Sequence, residues 1–179
     1  MLLVLVVAAV SAALAVRRGG SLTNLASTTF EWVGVLLAAL VLQVAADLFA
    51  PNDISSTGLL VVTYLVVAAF VLRNRKLPGI LIAVVGLAMN ILVISLNGAM
   101  PVSRWAADIA GGGSVGDEMG IKHEIAGSET DLAFLGDVIP IPETGRVISA
   151  GDVVLAAGIA VLVYRRTIYE PKAVRRASG

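Results

Sequence analysis

Five apolar runs dominate the chain, at residues 1–16, 29–50, 57–72, 79–96 and 149–164, and polar residues gather between them. A helix rising about 1.5 Å per residue needs about 20 largely apolar residues to cross roughly 30 Å of hydrocarbon. The runs 29–50 and 79–96 come closest. The other three are shorter, and flanking arginines that snorkel, or a locally thinned bilayer, would let them span. The pattern predicts an all-α membrane protein: a bundle of five transmembrane helices with an ordered extracytoplasmic loop, 97–148, between helices four and five. A basic cytoplasmic tail follows at 165–179. The first run lacks the positively charged start of a secretory signal, and Arg17 and Arg18 come after it, so it reads as a retained anchor with its N-terminus outside.

Charge supplies the orientation. Ten of the thirteen Lys and Arg residues fall at Arg17 and Arg18, at Arg73, Arg75 and Lys76, and at Arg165, Arg166, Lys172, Arg175 and Arg176. With five helices and an external N-terminus all three clusters are cytoplasmic, as the positive-inside rule requires. The opposite side holds Arg104, Lys122 and Arg146, with most of the acids, including Asp53, Asp108, Asp117, Glu118, Glu124, Glu129, Asp131, Asp137 and Glu143. Composition agrees with a bilayer as solvent: 58% hydrophobic and 15% charged, against about 45–50% and about 25% in soluble domains. The absence of cysteine excludes disulfides and thiolate sites, and the lone His123 excludes a multi-histidine metal or haem centre. No cofactor or metal is expected. The basic tail suits anionic lipid, and nothing points to nucleic acid.

The 97–148 loop is too long to be a bare connection. It begins with the glycine run 111–113 and Ser114, a flexible start. Its second half carries Leu132, Phe134, Leu135, Val138, Ile139 and Ile141, while Pro140 and Pro142 forbid a helix. A short cap folded on the outer face of the bundle is expected.

Polar side chains within apolar runs mark candidate sites, because a bilayer tolerates them only for a reason. Gln43 and Asp47 share one face of the second run, and Asn90 and Asn97 one face of the fourth. Asp152 opens the fifth helix. The structural alternatives are specific: Asp152 capping its helix with Ser149, Asp47 reaching water at a helix end, Asn90 bonding a neighbouring helix. Gly86 and Ala83, and Gly151 and Gly158, read as close-packing points; Glu31, Trp32, Tyr64 and Trp105 fit anchoring or packing roles. Two carboxylates such as Asp137 and Asp152, held close, cannot both ionise, and would form an acid–base pair for hydrolysis. His123 is the one side chain whose ordinary pKa lies near neutrality.

Four short steps stand in order along the chain: Asn97-Gly-Ala-Met-Pro101, Lys122-His123, Leu135-Gly-Asp-Val-Ile-Pro140 and Ser149-Ala-Gly-Asp152. In this order they resemble a bacterial family of uncharacterised five-helix membrane proteins, a domain of unknown function, over nearly the whole chain. Asn97-Gly98-Ala99, Gly136-Asp137 and Gly151-Asp152 also loosely resemble lipoprotein signal peptidase. That family's asparagine and arginine around the first aspartate, and its serine after the second, are missing here. Three functional classes follow: a non-enzymatic membrane subunit or scaffold that docks a membrane or extracytoplasmic partner through its outer loop, an intramembrane aspartic hydrolase using Asp137 and Asp152, and a small transporter element lined by Gln43, Asp47 and Asn90.

Overall fold

The computed structural model describes residues 2–49, 54–111, 123–127, 129–142 and 144–169. The glycine-rich stretch from 112, the acids Asp53, Asp117, Glu118 and Glu143, Lys122, and the tail from 170 lie outside the described residues, as do the side chains of Gln43, Asp47, Tyr64, His123 and Glu124. Five long helices run α1 (Leu2–Arg17), α3 (Val33–Phe49), α4 (Ile54–Asn74), α5 (Ile80–Asn97) and α7 (Ala150–Ile168). Between them lie the short helices α2 (Leu22–Ala26) and α6 (Arg104–Ala110), and a 3-10 turn at Ala133–Leu135.

The segment between α5 and α7 is a sheet, not a loop. Strands β1 (Met100–Val102), β2 (His123–Ile125), β3 (Asp137–Ile141) and β4 (Arg146–Ser149) line up in the order β2-β1-β3-β4. β1 runs parallel to both β2 and β3, and β3 and β4 form an antiparallel hairpin. This overturns the all-α class and the bundle of five transmembrane helices. Among the described residues one helix, α5, is long and apolar enough to cross a membrane, with 18 residues and a mean hydropathy of 2.4. Of the other long helices, α1 and α3 stop at 16 and 17 residues, α7 carries Asp152, Arg165 and Arg166 within its span, and α4 counts over Leu65–Asn74 alone among the described residues.

α7 is the centre of the packing, with α5 and α1 laid on it, while α3 pairs with α4. The α5–α7 crossing is made of backbone against backbone. A Cβ added at Gly86 would strike the Leu155 and Gly151 main chain, and one at Gly158 would strike Ala83. Small residues permit this approach, the usual device where helices associate without a strong hydrophobic drive. At the arginine-rich end, the Ser21 N–H donates to the Thr167 carbonyl at 2.8 Å, tying the exit of α1 to the exit of α7.

A local device occurs twice. Asn74 closes α4, and its Nδ2 donates to the Phe70 carbonyl one turn back and to the Glu31 carbonyl, while Oδ1 accepts from the Glu31 N–H. Asn97 closes α5 and treats Val93 and Asp131 in the same way, at 2.8–2.9 Å. Each clamped acid precedes a bulky residue in the left-handed region, Trp32 at φ +63° and Leu132 at φ +50°. Such residues cost about 1–2 kcal/mol, and the double hydrogen bond to the preceding peptide offsets that cost. Asn97→Ala removes three hydrogen bonds. It is expected to open the 129–135 segment by about 2 kcal/mol, read as faster hydrogen exchange at the Asp131 amide with α1 and α7 unchanged. Unaltered exchange there would mean that Asn97 does not anchor the cap.

Candidate functional site

The cap meets the bundle at the start of α7. Ser149 ends β4 and is also the N-cap of α7, so the sheet feeds directly into the helix. Its hydroxyl accepts from the Asp152 N–H at 3.0 Å, and its own N–H donates to Asp152 Oδ2 at 3.4 Å. This is a reciprocal capping box, with an aspartate in the place more often held by glutamate. From α5, Asn90 joins both partners: Nδ2 donates to Asp152 Oδ1 at 2.8 Å, and Oδ1 accepts from the Ser149 hydroxyl at 2.8 Å. Gly151 makes room for that amide, since a Cβ there would overlap Asn90 Oδ1. The capping and interhelical roles are therefore one network.

Asp137 stands beside it. It opens β3 in register with Ser149 of β4 and Val102 of β1, and its carbonyl accepts from the Ser103 N–H at 2.9 Å. Gly136 before it lies so close to the Pro101 carbonyl that a side chain would not fit. Asp137 is 6% exposed. Burial, and secondly the Asp152 carboxylate nearby, push its pKa from 3.8 up to about 7. The two aspartates thus share one electrostatic site with a proton available near neutrality.

The other candidates lie elsewhere. Gln43 and Asp47 belong to α3, which packs on α4. His123 begins β2 opposite Met100, two strands away from Asp137. Asn97 clamps the segment at Asp131 and lines a groove of about 410 Å³ with Leu96, Pro101, Ile125, Glu129 and Asp131; Asp137 and Asp152 are not among the groove's lining. Sequence reasoning passed over Ser149 as more than a cap, and over Asn74. The signal for both was present: a polar residue at each point where an apolar run begins or stops.

No curated protein and no solved structure matches the chain. The family model that does match covers residues 26–164, from just before α3 to the last turns of α7. It takes in the cap, the Asn90–Ser149–Asp152 network and Asp137, and agrees with the resemblance to an uncharacterised family. The chain belongs to a family of unknown function, DUF5317.

Proposed function

We propose that the protein is embedded in a cell membrane and acts as a non-enzymatic subunit, docking a membrane or extracytoplasmic partner on its α/β cap. The membrane reading draws on the outer faces of the long helices. Leu5, Val41, Leu65, Val85 and Leu92 point outward, with Val41 68% exposed. So much outward-facing apolar side chain is a poor surface for water. Arg17, Arg18, Arg73, Arg165 and Arg166 collect at the end joined by the Ser21–Thr167 bond and the Asn74–Glu31 clamp. The cap occupies the other end. By the positive-inside rule, that polarity favours a cytoplasmic arginine end and an outer cap.

The observation that carries docking over hydrolysis is the engagement of Asp152. Both of its carboxylate oxygens are held, one by Asn90 and one by the Ser149 N–H, so it serves helix and interface together. The cap instead offers the open groove beside Asn97 and outward aromatic side chains, Trp105 and Phe134. A hydrolase remains the second reading, favoured by the raised pKa of Asp137 next to Asp152. A transporter role for Asn90 has less support, because its amide is committed to Asp152 and Ser149.

The chain has no cysteine, so single cysteines report cleanly. Thr144→Cys is expected to react with an impermeant maleimide in intact cells, and Arg75→Cys only after permeabilisation. Release of the protein by alkaline carbonate would sink the membrane reading. A photo-crosslinker at Phe134 should capture one stoichiometric partner in native membranes. Isolation as a lone monomer, with peptide cleavage lost in Asp152→Asn, would replace the subunit with the hydrolase.

A further inference from the structure

At the arginine end, α1 and α7 part to leave a groove of about 240 Å³, walled by Ser11, Leu14, Ala160, Val161, Tyr164 and Arg165. We propose that this groove holds one anionic phospholipid, its acyl chain against Leu14, Ala160 and Val161 and its phosphate among Arg18, Tyr164 and Arg165. The inference rests on the membrane reading above and adds a specific ligand to it.

The wall changes character along the helix axis. At its inner part the buried Ser11 is joined by the apolar Leu14, Ala160 and Val161; one turn further the lining becomes Tyr164 and Arg165. The Arg18 Nη1 donates to the Tyr164 hydroxyl at 2.8 Å, and its guanidinium carbon lies 5.9 Å from the ring centroid. Arg18 is thereby held over the mouth from the α1 side while Arg165 borders it from the α7 side. Arg17 and Arg166 stand next to them in the chain, and the buried Arg166 Nε–H has no acceptor among the described residues.

These cations have no acidic counterpart on their own helices. α1 contains no acid, and the single acid of α7 is Asp152, thirteen residues and about 20 Å from Arg165 at about 1.5 Å per residue. By contrast Arg73, the described arginine at the same end beside α3, faces Glu31 at 3.7 Å and stacks over Trp32. Among the described residues no acid pairs with this positive mouth, which selects an anion, and the apolar wall beneath it selects one that carries a hydrocarbon chain. Guanidinium groups match phosphate oxygens in geometry as well as charge. Free phosphate satisfies the mouth but leaves the apolar wall empty, so the lipid is the better occupant.

The test uses the full chain purified in a maltoside detergent, with native mass spectrometry against dioleoyl phosphatidylglycerol, dioleoyl phosphatidylcholine and inorganic phosphate. Phosphatidylglycerol is expected to be retained at about tenfold lower concentration than phosphatidylcholine. Inorganic phosphate at millimolar concentration should not displace it. The double variant Arg18→Gln, Arg165→Gln should abolish the preference, and Ala160→Phe should weaken retention by filling the groove. Leu14→Trp, at an outward-facing position, does the same should Ala160→Phe fail to fold. Equal retention of the two lipids, or full retention in both filling variants, overturns the site. Displacement by inorganic phosphate overturns the lipid assignment while keeping an anion site. Extraction by carbonate defeats the membrane reading separately.

Discussion

Asp137→Asn is expected to leave stability unchanged near pH 4 and to raise it at pH 8 by as much as about 4 kcal/mol. The sign follows from the shift. In the unfolded chain the carboxyl titrates near 3.8, whereas in the fold burial and the Asp152 charge hold its proton until about pH 7. The folded state therefore binds more protons between those values, and stability falls as pH rises from about 4 to about 7, then levels off. About three pKa units at about 1.36 kcal/mol each give the magnitude. Asparagine keeps the shape and has no charge to bury, so the decline should vanish in the variant. Thermal unfolding between pH 4 and 9 checks this, and parallel curves for the two proteins would refute it. Asp152→Asn offers an internal control. It removes one of the two causes of the shift, so the decline should move to lower pH. The weakened capping box lowers stability by about 1 kcal/mol.

The electrostatic centre of the protein thus depends on pairs far apart in the chain, which bears on what the sequence discloses. The apolar run 79–96 overlaps α5 at all but one position, and 149–164 lies inside the stretch from Ser149 through α7, because helical order is local and a long apolar segment announces it. The sheet was not legible, and the all-α expectation failed there. Its strands are three to five residues long, too short for an alternating pattern to register. β1 contains Pro101 and β3 contains Pro140, residues that ordinarily argue against a strand. Pairing Val102 with Asp137 bridges 35 positions, and no local signal carries that.

The candidate site was half visible. Asp152 as a cap and Asn90 as an interhelical donor each follow from position, but their meeting 62 residues apart does not. Nor does the twin use of Asn74 and Asn97. An asparagine ending an apolar run is recognisable, but the peptides it clamps, at Glu31 and Asp131, lie 43 and 34 residues away.

Gly158→Val and Gly86→Val are each expected to prevent recovery of folded protein. Overfilling a core costs about 1–3 kcal/mol when neighbouring side chains can shift. Here the obstacles are main-chain atoms of the opposite helix, the Ala83 N–H group for Gly158 and the Leu155 N–H group for Gly86. Relief requires α5 and α7 to separate as whole helices. Separation would also pull Asn90 from Asp152 and Ser149, stranding a carboxylate and a hydroxyl that are now satisfied. The loss therefore exceeds the steric cost and propagates from the midpoint of the crossing to the base of the cap. Gly34→Val is the matched control, since a Cβ there meets nothing within 4 Å, and it should be nearly neutral. Monodisperse yield and thermal midpoint measured for all three variants separate the cases. If Gly158→Val survives as well as Gly34→Val, the two helices do not touch backbone to backbone. The Asn90–Asp152 bond, which depends on the same close approach, would then have to be abandoned with them.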